Sequence, residues 1–126
     1  MKGYDTDGKL VSEGHYRYGI LHGKYVEYYP DRGVKLEGNY DNGKHEGTWL
    51  YFDIGGLIIG EGVFSKGTGK QRAFWENGKT KQLTYYVDDR KHGEEILYRQ
   101  DGSVEMINRY EEGKLVEKIA GNGPEK

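Results

Sequence analysis

The chain contains no cysteine, and only 2 of its 126 residues are proline. Without thiols it has no disulfide framework, no thiolate nucleophile and no cysteine-type zinc site. It also lacks a long apolar run. Leu57-Ile58-Ile59 is the longest aliphatic stretch, far short of the ~18 residues of a membrane-spanning helix. The opening residues Met1-Lys2-Gly3-Tyr4-Asp5 carry no hydrophobic segment of a secretory signal, so a cytoplasmic location is expected. Basic and acidic side chains nearly balance, 19 against 21, which leaves no basic footprint for sequence-independent nucleic-acid binding. Leu, Ile, Val and Phe together make about a fifth of the chain, close to the compositional border of disorder. A conventional two-layer core is therefore under-supplied.

What the chain does have is glycine and aromatic rings: 21 Gly, 12 Tyr, 3 Phe and 2 Trp. They are periodic. Steps of twelve residues from Tyr4 reach Tyr16, Tyr28, Tyr40, Phe52 and Phe64; one step of ten reaches Phe74; steps of twelve then reach Tyr86, Tyr98 and Tyr110. Such self-similarity is the signature of a repeat architecture. A twelve-residue step suits one short strand and a turn. Asp7-Gly8, Asn42-Gly43, Asn77-Gly78 and Asp101-Gly102 supply the Asx-Gly pairs that tight hairpin turns favour. The expected fold is all-β: an elongated antiparallel meander of about ten short strands, five hairpins in a single curved sheet. Alternation along the strands places all ten markers on one face, as two aromatic ladders. Two residues before five of them stand Gly14, Gly38, Gly62, Thr84 and Asn108, small enough for a neighbouring ring to lie over the backbone. Val26, Leu50 and Ile96 hold the matching position on the other strands, and Arg72 breaks that row. The ten-residue step is read as one shortened turn at Gly67-Thr68-Gly69. Repeats are expected over 1–117, with a C-terminal tail over 118–126.

The segment Tyr40-Asp41-Asn42-Gly43-Lys44-His45-Glu46-Gly47-Thr48-Trp49 resembles the consensus of MORN repeats, and most of all the bacterial MORN-variant group. Tyr16-Arg17-Tyr18-Gly19 with Gly23, and Asp7-Gly8-Lys9-Leu10 with Glu13-Gly14, follow the same pattern, whereas Asp89 stands where it wants Gly. The resemblance covers roughly residues 4–117. It implies a scaffold for protein–protein contact. Many bacterial members are similar to antitoxin or immunity proteins, and eukaryotic ones have been linked to phospholipids. A fold does not fix an activity.

Catalytic patterns do not survive their context. His22, His45 and His92 fall at turns and His15 faces away from the ladder, so the four histidines are spread along the sheet rather than converging on a metal. Asp5-Thr6-Asp7-Gly8 is one of four equivalent Asx-Gly turns rather than a calcium loop. No Ser or Thr sits in G-x-S-x-G, and Gly67-Thr68-Gly69-Lys70 lacks the length of a phosphate loop and its following helix. No enzyme, cofactor or metal is expected. The aromatics off the ladder are more informative. Parity along the strands places Tyr25, Tyr29, Trp49, Tyr51, Trp75 and Tyr85 opposite the markers, interleaved with Glu13, Glu27, Glu37 and Asp53. Tyr and Trp are enriched at interface hot spots, so Tyr25, Tyr29, Trp49, Tyr51 and Trp75 are the expected partner anchors, with Glu27 and Asp53 as charge partners. The row Tyr25, Trp49, Gln71, Glu95 fades from aromatic to polar. Over residues 66–81, Lys66, Lys70, Arg72, Lys79 and Lys81 face one Glu76, and Lys70 and Arg72 are the expected anion contact. The leading expectation is a non-catalytic binder of a protein such as a toxin. The alternatives are a peripheral phospholipid-binding module and a structural segment of a longer repeat protein; edge-to-edge dimerisation is a further expectation.

Overall fold

The computed structural model describes residues 1–121. Eleven strands follow one another: β1 (Lys2–Tyr4), β2 (Leu10–Arg17), β3 (Ile20–Tyr28), β4 (Val34–Asp41), β5 (Lys44–Phe52), β6 (Ile58–Ser65), β7 (Thr68–Phe74), β8 (Thr80–Val87), β9 (Arg90–Tyr98), β10 (Val104–Glu111) and β11 (Lys114–Ala120). Each pairs antiparallel with the next, in one open, curved sheet ordered as the chain is. The meander is as expected, with one strand more than the ten marked by aromatics. β11 has no marker, and it runs across the boundary expected at 117. The rest of the expected tail, from Asn122 on, lies outside the described residues.

Two kinds of connection alternate. Tyr18-Gly19, Asn42-Gly43, Lys66-Gly67, Asp88-Asp89 and Glu112-Gly113 each place both residues at positive φ, the mirror-image turn whose twist matches that of the flanking strands. The other connections are five-residue loops, each closed by the same two backbone bonds. In one, the Asp53 N–H donates to the Leu57 carbonyl at 2.9 Å and the Gly56 N–H to the Asp53 carbonyl at 3.0 Å. Asp7-Gly8, Asn77-Gly78 and Asp101-Gly102 belong to these loops, and only Asn42-Gly43 of the four Asx-Gly pairs forms a two-residue turn. The short turns are also tied to one another: the Gly43 N–H donates to the Leu21 carbonyl and the Gly67 N–H to the His45 carbonyl, both at 2.7 Å.

The register overturns the expected distribution of rings. Across a two-residue turn Arg17 faces Ile20 and Tyr16 faces Leu21, so an even-numbered residue shares its face with an odd-numbered neighbour. The same inversion runs along most of each adjacent pair from β1 to β10, as with Tyr25 opposite Gly38 and Trp49 opposite Gly62. An even step along the chain therefore changes face at each strand. Tyr16, Tyr40, Phe64, Tyr86 and Tyr110 lie on one face, which also holds Gly14, Gly38 and Gly62. Tyr4, Tyr28, Phe52, Phe74 and Tyr98 lie on the other, with Glu13, Glu37 and Glu61. We call these the glycine face and the glutamate face. The ladder is real but divided, five rings to a side.

The shortened repeat is also different from the expected one. β3, β5 and β9 have nine residues and carry Gly23, Gly47 and Gly93 at positive φ, where register shifts mark bulges against the preceding strand. β7 has seven residues and pairs with β6 without a shift. The Lys66-Gly67 turn is intact; the two missing residues are those of the bulge.

Candidate functional site

The glycine face is built by rings lying over bare backbone. Trp49 is 1% exposed. It covers Gly38, where a Cβ would fall within its indole, and its Nε1–H donates to the Asn39 carbonyl at 3.1 Å. Tyr40 stands edge-on between Tyr25 and Trp49, its ring centroid 5.4 and 5.0 Å from theirs. His45 extends the cluster, 4.3 Å from Trp49 and 5.2 Å from Phe64. Tyr25, Trp49 and Tyr51 thus share a face with the markers Tyr40 and Phe64, and the expectation that they lie opposite the ladder is corrected: the turn parity inverts it.

Each expected anchor has an internal partner. The Tyr25 hydroxyl donates to Glu27 at 2.8 Å; burial first, then that carboxylate, push its phenol above the usual range. Tyr51 donates to Gln71 Oε1 at 3.0 Å, and burial pushes its pKa up to about 12. Tyr29, in the loop after β3, donates to the Phe52 carbonyl at 2.7 Å. Trp75 opens the loop after β7, where its Nε1–H reaches the Tyr98 carbonyl at 3.2 Å under the Lys81 ammonium. Asp53 accepts the backbone N–H groups of Gly55 and Leu57, both at 2.9 Å, which makes it a loop cap. Asp5 does the same for Asp7 and Lys9 in the loop that faintly looked like a calcium site. These contacts knit the fold. Trp49 in particular offers no surface to a partner.

The polar end of the row has a physical cause. Glu95 occupies the Trp49 position two hairpins on, flanked by Thr84 and Asn108 where Trp49 has Gly38 and Gly62. It is 5% exposed. Lys91 Nζ lies 2.8 Å from its carboxylate, Gln82 and Asn108 donate at 3.1 Å, and the Thr84 hydroxyl donates at 3.2 Å. Burial opposes the charge, yet these bonds outweigh it and hold the carboxyl below the usual range. Where a ring needs glycine beneath it, a buried carboxylate needs donors, and the small positions change accordingly.

Asp89 explains its own departure from the repeat. It sits at φ 63 in the turn between β8 and β9. Its carboxylate accepts the His45 N–H at 3.2 Å and faces His45 Nδ1 at 3.2 Å, while Lys44 pairs with Asp88. The bulge-free β6–β7 hairpin lies between, its Gly67 N–H on His45 and its Gly67 carbonyl taking the Asp89 N–H at 2.9 Å. His22 and His92 lie in strands rather than turns; each accepts a backbone N–H through Nδ1, from Asn42 at 3.1 Å and from Glu112 at 3.3 Å. His22, His45 and His92 are therefore turn clamps at repeat spacing. Among the described residues no group of three or more His, Asp or Glu is placed to hold a metal ion.

A family model for the MORN repeat variant matches residues 1–18 and 68–88. Both segments are the same construction: a strand, a five-residue loop, and the next strand. These two segments carry the MORN repeat. No curated protein matches it. Three more units of the same build, β3–β4, β5–β6 and β9–β10, complete the array between the two-residue turns.

The third hairpin unit exposes aliphatic side chains that the frame itself does not use. Ile54 is 67% exposed and Leu57 61%, and Ile58, Ile59 and Val63 continue the exposure along β6. Exposed aliphatics adjoining in sequence, as Leu57 to Ile59 do, mark candidate contact surfaces. The signal was present in the sequence as the longest aliphatic run, which begins at Leu57 where the other loops have Lys9, Gly33, Lys79 or Ser103, and as Ile54 where they have Thr6, Pro30, Glu76 or Gln100. Lys70 and Arg72, the expected anion contact, do come together: two residues apart on β7, both face the glutamate side.

Proposed function

We propose that this MORN array is a non-catalytic binding scaffold for a protein partner, of the antitoxin or immunity kind that blocks a toxin by covering it. The observation that carries the reading is the exposed aliphatic group of Ile54, Leu57 and Ile58 on a sheet otherwise stitched together by hydrogen bonds. The aromatics first expected to bind are engaged in the fold, so the contact is assigned to this surface instead, with the Trp75 loop beside it. The tagged protein is to be passed through a lysate of its source cells and the retained protein identified. The two are then mixed, the complex weighed by light scattering, and the partner's toxicity measured. A stoichiometric complex is expected, weakened at least ~10-fold by Leu57→Glu if Leu57 is a hot spot. Unchanged affinity in that variant would remove the surface from the proposal.

The same apolar loop keeps a second reading in play, peripheral lipid binding. The five loops at that edge carry six carboxylates against four cations, which opposes an anionic membrane. Flotation with anionic vesicles in place of a protein complex would favour the lipid reading. Retention of nothing in either assay leaves a structural segment of a repeat protein.

A further inference from the structure

Among the described residues Arg72 has no hydrogen-bond or ion-pair partner. It faces Glu61 directly across β6–β7, yet no ion pair joins them among the described residues, and its Nε is removed from solvent with no acceptor. A buried donor left without an acceptor calls for an explanation, and a bound acceptor group is one. It lines a depression of about 180 Å³ with Glu61, Gly62, Val63, Lys70 and Leu83. Leu83 is buried and forms an apolar floor, and Val63 supplies an apolar wall. Lys70, two residues before Arg72 on a strand without a bulge, shares its face. The corresponding positions in the hairpin before are Thr48 and Leu50, both uncharged, with Leu50 opposite Glu37. The pair of cations is thus peculiar to the bulge-free hairpin.

We propose that this depression is a subsite for a single carboxylate on a short aliphatic stem, the side chain of an Asp or Glu on a polypeptide partner. The guanidinium of Arg72 takes the carboxylate in a two-bond fork, Lys70 adds a point charge, and the stem rests on Leu83 and Val63. Glu61 sets the selectivity. It leaves one net positive charge in the pocket, enough for a monoanion and poorly matched to a phosphate dianion, and it can accept the N–H of the peptide that carries the stem. The subsite rests on the protein-binding reading above, but it is tested without any partner, so the two fail separately.

The whole ¹⁵N-labelled protein is titrated by NMR with butyrate, with inorganic phosphate and with neutral butyramide at equal ionic strength. Butyrate is expected to shift the amides of Gly62, Val63, Lys70, Arg72 and Leu83, at least ~5-fold more tightly than phosphate. Butyramide is expected to leave them in place. Arg72→Met should abolish the response, and the exposed Lys70→Ala should weaken it in a protein whose remaining spectrum is unchanged. Phosphate binding as tightly as butyrate would overturn the proposal in favour of a phosphate or headgroup site. Shifts scattered over surface lysines, or a response that survives in Lys70→Ala and Arg72→Met, would overturn it altogether.

Discussion

Replacing Gly38 with alanine tests the packing principle of the glycine face at its tightest point. A Cβ there would sit 2.6 Å from Trp49 Cε3, with two other indole carbons nearer still. Ordinary carbon contacts lie at about 3.5–4.0 Å, so the ring must move by roughly 1 Å or more. Trp49 is 1% exposed and tied to Asn39, so it has little freedom to yield. The cost is expected at the upper end of overpacking, about 3 kcal/mol. The backbone itself does not need glycine, because Gly38 is absent from the positive-φ residues. In a Trp49→Ala background the same substitution should therefore cost nothing, or stabilise by about 0.4–1 kcal/mol through the unfolded chain. Trp49→Ala alone is expected to cost about 3–5 kcal/mol, so the cycle should be measured in a mild urea series with a stabilising osmolyte. A coupling energy of about 3 kcal/mol between the two sites is the prediction. Gly14→Ala is the internal control: its Cβ would lie 3.1 Å from Leu21 and Tyr25, a misfit that small shifts absorb. Equal losses at Gly14 and Gly38, or additivity in the double variant, would refute the account of glycine as room for a ring.

Two further predictions concern protons. The Glu95 carboxyl is held below its usual range, so its contribution is complete above the unfolded value of about 4.3 and is lost as pH falls through the folded one; urea midpoints should converge for wild type and Glu95→Gln as pH is lowered from neutral, and a gap independent of pH would refute this. Tyr51 is raised to about 12, so the stability from its neutral form is present below the unfolded value of about 10 and lost as pH rises to the folded value; ultraviolet titration of Tyr51→Phe should lack a late-ionising phenol, and loss of an ordinary one would show that Tyr51 is accessible.

The fold was legible because the repeat writes its own turns: Gly19, Gly43 and Gly113 stand where positive φ is required, and the ladder gives one ring per strand. Facing was not legible by the same means. Alternation holds within a strand, but the pairing of Tyr16 with Leu21 inverts it at the turn, and that offset is a property of the hairpin rather than of spacing along the chain. Once the inversion is applied, the small positions Gly14, Gly38, Gly62, Thr84 and Asn108 explain what lies over them. The engagement of Tyr25, Tyr51 and Asp53 was beyond sequence reading, because an aromatic or a carboxylate in a strand looks the same whether its partner is internal or external. Asp89 was visible as an anomaly, but its acceptor role depends on His45, 44 residues earlier, brought near only by the short hairpin between them.

That clamp has a consequence for how the array can change length. In a linear repeat protein each unit touches only its neighbours, so units can be added or removed anywhere at similar cost. Here the bridge from His45 to Asp89 reaches past a whole hairpin, and its span is set by the two residues that β7 lacks. A module inserted between residues 45 and 89 would pull the bridge apart, whereas one inserted nearer either end would leave it closed. The molecule is thus a ruler with a fixed central segment, extensible only outside it.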